Sequence, residues 1–183
     1  METKHDSSSR PRRQRGLTLV EAMTVVVVTV IVAAAAAPSL ASFIDARRLE
    51  AAANQLAADI QLVRTETVAR NKPIRLSFHG DAASTCWIVH TGAAAQCTCG
   101  ASGPGTCSGG ATAIKTVVLD NAGRVGVQAN VASILFDPLH GTATPTGTLR
   151  LVDARGRAVH HIVNVMGRVR SCTPNGVAGW RAC

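Results

Sequence analysis

The chain has no tyrosine, and its 183 residues include only three phenylalanines and two tryptophans. Five aromatic rings are too few to build a stacking platform for unpaired bases, which excludes that mode of nucleic-acid recognition. Charge is also scarce at 16%, yet 46% of the residues are hydrophobic, so the chain has ample apolar surface to bury and is not a disordered one. There is no phosphate-binding glycine loop, no dinucleotide fingerprint and no Ser/His/Asp ordering. The six histidines are scattered. Even the adjacent His160 and His161 would face opposite sides of a strand. No enzyme and no cofactor are expected.

What charge there is has one sign at both ends. The formal net charge is +8. Residues 1–16 carry Lys4, Arg10, Arg12, Arg13 and Arg15 against Glu2 and Asp6, and residues 150–183 carry six arginines against Asp153 alone, while the middle of the chain is balanced. A basic surface of this kind suits a polyanion, either nucleic acid or an acidic membrane face. Behind the first basic end lies an apolar run in which residues 22–44 are all uncharged, long enough to cross a bilayer as a helix. The flanking charges place its N-terminus in the cytoplasm. A membrane anchor and a cleaved secretory signal, cut near Ala35–Ala37, compete for this pattern. Pro38 argues against that cut, and Glu21 is costly for both readings.

The junction Arg15-Gly16-Leu17-Thr18-Leu19-Val20-Glu21 resembles the class III leader of type IV pilins and type II secretion pseudopilins. That resemblance implies removal of residues 1–16 by a prepilin peptidase that cuts after Gly16, and methylation of the new N-terminus at Leu17, where the family usually has Phe. Glu21 becomes the fifth mature residue and Pro38 the twenty-second. The resemblance assigns Glu21 an assembly role, neutralising the N-terminal amine of a neighbouring subunit. A paired charge is tolerable in low dielectric where a lone one is not. The competing reading is that Glu21 snorkels to the headgroups.

Beyond the membrane segment, 17–44, residues 45–72 continue as an amphipathic half-helix with Leu49, Ala53, Leu56, Ile60, Val63 and Thr67 on one stripe. Arg47, Arg48, Gln55, Asp59, Arg64 and Glu66 are expected mostly elsewhere. From about Thr18 to Arg70 this makes one helix of ~80 Å, bent at Pro38 and ended by Asn71-Lys72-Pro73. From residue 73 the period changes to two. Alternating runs at 74–78, 86–90, 115–119, 124–127, 132–136, 148–152, 158–165 and 168–170, separated by Gly, Asp and Asn turns, predict antiparallel sheets. The fold class is therefore α+β, and with the leader it is type IV pilin-like: one long helix packed on an antiparallel β domain, 73–183. Residues 92–112 lack any period and read as a Cys-rich surface loop.

All six cysteines, Cys86, Cys97, Cys99, Cys107, Cys172 and Cys183, follow the membrane segment. An even number in an oxidising compartment predicts disulfides, with 15 full connectivities open. Cys172 with Cys183 is the nearest pairing by sequence for the tail. A hairpin centred on Thr91-Gly92 would set Cys86 opposite Cys97 and leave Cys99 for Cys107. The alternative is a metal held by Cys97, Cys99, Cys107 and His90, although Cys-x-Cys lacks the usual knuckle spacing.

Toward the C-terminus, Phe136-Asp137-Pro138-x-x-Gly141, Gly147-Thr148-Leu149 and Gly167-Arg168-Val169-Arg170-Ser171-Cys172 resemble the FimT and GspH-type minor pilins. The resemblance implies a subunit of the inner membrane with a periplasmic domain, which then enters an extracellular filament with other pilins or pseudopilins. In some members of the FimT branch the two arginines of this motif bind double-stranded DNA for natural transformation. The implied site here is Gly167, Arg168 and Arg170, with Arg181 on the tail beside it. The alternative is a GspH-like structural pseudopilin at the tip of a type II secretion filament, with no DNA contact. Arg155 and Arg157 share the two-residue spacing and would either extend the patch or be solvated turn charges.

Overall fold

The computed structural model describes residues 16, 18–81, 84–99, 104–120 and 124–183. The chain divides into two units, Met1–Ala41 and Ser42–Cys183. The leader expected at 1–16 lies outside the described residues except for Gly16, and so does Leu17.

Helix α1 runs Leu19–Arg70. Its start is explained locally. The Glu21 backbone N–H donates to the Thr18 hydroxyl at 3.2 Å, and Thr18-x-x-Glu21 has the residue types of a capping box. In the first unit the helix is apolar and its large side chains from Leu19 to Leu40 are more than half exposed. This segment is long and apolar enough to cross a membrane. Pro38 lies inside the helix without ending it.

In the second unit α1 is amphipathic. Asp45, Leu49, Ala52, Ala53, Leu56, Asp59, Ile60, Val63 and Thr67 are buried, at spacings of three and four. Each fully buried Leu, Ile or Val of this stripe contributes roughly 1.5–3 kcal/mol. The helix ends in a Schellman arrangement. Asn71 takes φ +48°, its N–H donates to Val68 C=O, and Lys72 N–H donates to Thr67 C=O.

The β domain consists of two main antiparallel sheets. Its strands are β1 (Ile74–Gly80), β2 (Ser84–Thr91), β3 (Cys97–Thr98), β4 (Thr106–Cys107), β5 (Ala113–Asp120), β6 (Val125–Ala129), β7 (Ser133–Phe136), β8 (Ala143–Thr144), β9 (Gly147–Asp153), β10 (Ala158–Val163) and β11 (Val169–Cys172). The first sheet has the order β5-β2-β1-β7-β8 and the second β11-β10-β9-β6. A shared core joins helix residues Leu49, Leu56 and Ile60 to Leu76, Trp87 and Ile134 of the first sheet and Leu149, Leu151 and Val159 of the second.

Polar ties fix the helix to both sheets. Asp59, expected off the stripe, is 1% exposed and faces the core. It is tolerated because Lys115 Nζ lies 2.5 Å away and the fully buried Trp87 donates its Nε1–H at 2.8 Å. On the other side, buried His161 donates Nε2–H to Ala53 C=O at 2.9 Å and accepts the Ser171 hydroxyl on Nδ1 at 2.7 Å. Burial pushes its pKa down to about 4, so the ring is neutral at pH 7.

Two expectations are corrected by the segment 92–112. It is not simply a loop. A short 3₁₀ turn at Ala94–Gln96 leads into the small β3–β4 ladder. The cysteines pair as Cys86–Cys99, Cys97–Cys107 and Cys172–Cys183. The tail pairing is the expected one, but the other two are exchanged. The reason is register. Residues after Gly92 do not return along β2, whose two neighbours are β1 and β5, with Cys86 opposite Val118. Cys97 is instead directly opposite Cys107 across β3–β4, which leaves Cys99 to reach Cys86. The metal alternative falls with this pairing, since all three sulfurs are in disulfides and the His90 ring is bonded to Ser77 and Thr91.

Candidate functional site: an arginine face

The second sheet turns one side to the core and the other outward. On β9, Leu149 and Leu151 are buried while Arg150 is exposed; on β10, His161 and Val163 are buried while Ile162 is exposed. Register carries this alternation across the sheet. Ile162 lies opposite Arg170 on β11 and Thr148 on β9, and His160 lies opposite Cys172 and Arg150. Ladder partners share a face, so Arg150 and Arg170 both point outward, about 12 Å apart by strand spacing and rise. The only acidic side chain from β9 onward, Asp153, is buried and faces away. His160 adds no charge at neutral pH, because burial first and Arg150 second lower its pKa.

The β10–β11 turn places Arg168. Gly167 takes φ +66°, Gly167 N–H donates to Asn164 C=O, and the Asn164 side-chain oxygen accepts Arg168 N–H at 2.9 Å. Arg168 and Arg170 are exposed, and Val169 between them packs against the core. Arg168 precedes the strand rather than lying within it. Arg181 is exposed on the tail, which Cys172–Cys183 and the Thr173 N–H to Arg181 C=O bond hold along the sheet. Among the described residues, the side chains of Arg150, Arg168, Arg170 and Arg181 form no ion pair.

Arg155 and Arg157 do not join this face. Arg157 Nε donates to Asp153 at 2.6 Å and its guanidinium reaches Ser42 C=O, while Arg155 Nε lies 3.4 Å from the buried Asp45, which also meets Arg124 at 3.7 Å. These two arginines clamp the β9–β10 turn to the helix. Of the two readings the sequence left open for this pair, the extended patch does not hold, and the turn charges are paired with Asp45 and Asp153 rather than simply solvated. Sequence reasoning missed Arg150, whose signal was the alternation of buried and exposed residues along β9.

In the first unit, Gly16 is exposed and Glu21 is exposed in the first turn of α1.

The family described as Type II transport protein GspH matches residues 52–167, and the prokaryotic N-terminal methylation motif matches residues 11–37. The first match covers more than half of the chain, from the helix stripe to Gly167, and the chain belongs to the GspH family. Its role is that of a minor pilin or pseudopilin subunit, and the apolar helix behind the methylation motif is consistent with anchoring in the inner membrane. Two crystal forms of the type IV minor pilin FimU from Pseudomonas aeruginosa are similar in structure. One has 17% identity and a TM-score of 0.48, covering 74% of this chain and 98% of that one; the other has 16% and 0.44, covering 70% and 98%. No curated protein matches the chain.

Proposed function

We propose that this subunit is a minor pilin that binds double-stranded DNA without sequence preference and serves its uptake in natural transformation. The observation that supports it is the outer face of the second sheet, where Arg150, Arg168, Arg170 and Arg181 are exposed without a carboxylate partner. Arginine offers a planar fork of donors suited to phosphate. Such a site reads charge, and its affinity falls steeply with salt. The test is a polarisation titration of the full chain in detergent micelles with unrelated duplexes at two salt concentrations. Arg168→Gln/Arg170→Gln should lower affinity about 10- to 100-fold and flatten the salt slope by about two. No binding by the wild type at low salt would overturn the reading.

The maturation reading belongs with it. Prepilin peptidase cuts after Gly16, the new N-terminus at Leu17 is methylated, and Glu21 pairs with the terminal amine of a neighbour in the filament. Mass spectrometry of the membrane-derived protein should show loss of residues 1–16. Glu21→Ala should leave the protein in the membrane and reduce its recovery in sheared filaments; normal recovery would leave Glu21 no assembly role.

A second reading is supported by the matched family's own description, a type II transport protein. On it the subunit is a structural part of a secretion pseudopilus, and deletion would stop export of folded proteins without changing DNA uptake.

A further inference from the structure

We propose that Arg64, on the helix, is a further anion-binding residue of this site, and that Gly167 is the positioning residue that lets it lie across the β10–β11 turn. The proposal rests on the reading of Arg168 and Arg170 as an anion site. It brings in a residue from a different element, 103 positions before the motif's glycine by the numbering.

The geometry begins with Gly167. It is buried, and a Cβ there would lie 3.2 Å from both Cδ and Nε of Arg64 and 3.4 Å from the Phe136 ring. The arginine stem therefore crosses the bare face of the glycine. Any side chain at 167 would press on it, in addition to the strain of φ +66°. Arg168 is the next residue, its Cα about 3.8 Å from that of Gly167. The turn thus brings a helix arginine to the root of the Arg-x-Arg pair.

Arg64 is half-buried, and among the described residues it forms no hydrogen bond or ion pair. Nearby carboxylates are committed elsewhere. Glu66 is held by Arg70 at 2.5 Å. Asp137 lines the same groove as Arg64, but its Oδ1 accepts the N–H groups of Leu139 and His140 and its Oδ2 faces the His140 ring. A guanidinium has five donors and no acceptor capacity. Partly withdrawn from water and left without a protein acceptor, it is incomplete in a way that a phosphate oxygen would remedy. Access is open, because Arg64 lies on a groove of about 420 Å³ walled by Gln61, Thr65, Val68, Phe136 and Gly141.

The test uses the full chain in detergent micelles, with inorganic pyrophosphate as probe and the arginine Nε–H resonances as readout. The resonances of Arg64, Arg168 and Arg170 should shift together with one dissociation constant. Gly167→Ala should remove the Arg64 shift, and Arg64→Gln, which leaves the turn intact, should weaken pyrophosphate binding about 3- to 10-fold. An Arg64 resonance that stays still while the other two move, or no shift at any of the three, overturns the proposal. Duplex DNA is titrated in parallel, where Arg64→Gln should lower the salt slope by about one. Pyrophosphate shifts at all three residues with no duplex binding would leave this inference standing and remove the DNA reading.

Discussion

The two turns that flank β10 each carry a glycine and an arginine pair, and the pairs have opposite fates. Arg155-Gly156-Arg157 and Gly167-Arg168-Val169-Arg170 each present two arginines two residues apart beside a glycine of positive φ. The first pair is spent on acids buried in the fold. Asp153 and Asp45 are both 5% exposed, and each needs a cation to be tolerated there. The second pair meets no carboxylate, and its strand neighbours on the outer face are Ile162 and Thr148. Spacing alone therefore does not make an arginine pair a binding site. What decides is whether a buried acid lies within reach.

Stability measurements can break or sharpen this comparison. The largest effect expected is on the strand pair that carries the second turn, through pH. His161 joins β11 to the helix only while neutral. Its folded pKa, about 4, is below the ordinary 6.5 of the unfolded chain. Stability is therefore full above pH 6.5 and is lost as pH falls toward 4, by up to about 3 kcal/mol. Denaturant titrations across that window should show the loss, and His161→Gln should flatten it. His90, whose pKa burial also lowers, adds in the same direction.

Next comes the tail. Cys172→Ser/Cys183→Ser opens a link of sequence separation 11 and should cost about 2–3 kcal/mol of stability in the chain-entropy model. Equilibrium unfolding measures it, and DNA affinity should fall less than in the Arg168/Arg170 double variant, since only Arg181 is released.

The contrast between the turns themselves is a matter of about 2 kcal/mol. Arg155→Gln/Arg157→Gln should lose roughly that much, because each of two buried carboxylates loses a cation, although Asp153 keeps two backbone N–H donors and Asp45 keeps Arg124. Its DNA affinity should stay near that of the wild type. Arg168→Gln/Arg170→Gln should change stability by less than about 0.5 kcal/mol, the smallest effect of the series. Equal destabilisation by the two double variants would erase the distinction drawn here.

The linear chain was sufficient for much of this. The apolar run behind a basic leader, the stripe Leu49 to Thr67 and the change to a two-residue period all depend on local geometry, in which side-chain direction follows from residue number. The same holds for the helix stop at Asn71 and for Val169 facing inward between two outward arginines. The Gly167 motif was legible only through its resemblance to the FimT and GspH-type minor pilins. Tertiary structure alone decided which partners meet. Asp59 could be buried only because Trp87 and Lys115 arrive from other strands. Cys99 went to Cys86 because β5, not the segment after Gly92, pairs with β2. Arg155 and Arg157 were drawn off by acids on the helix and at the end of β9, while Arg64 was brought to Gly167 from a distant part of the chain. These outcomes depend on long-range register and on desolvated charges finding counter-charges, and neither is encoded in the spacing of neighbouring residues.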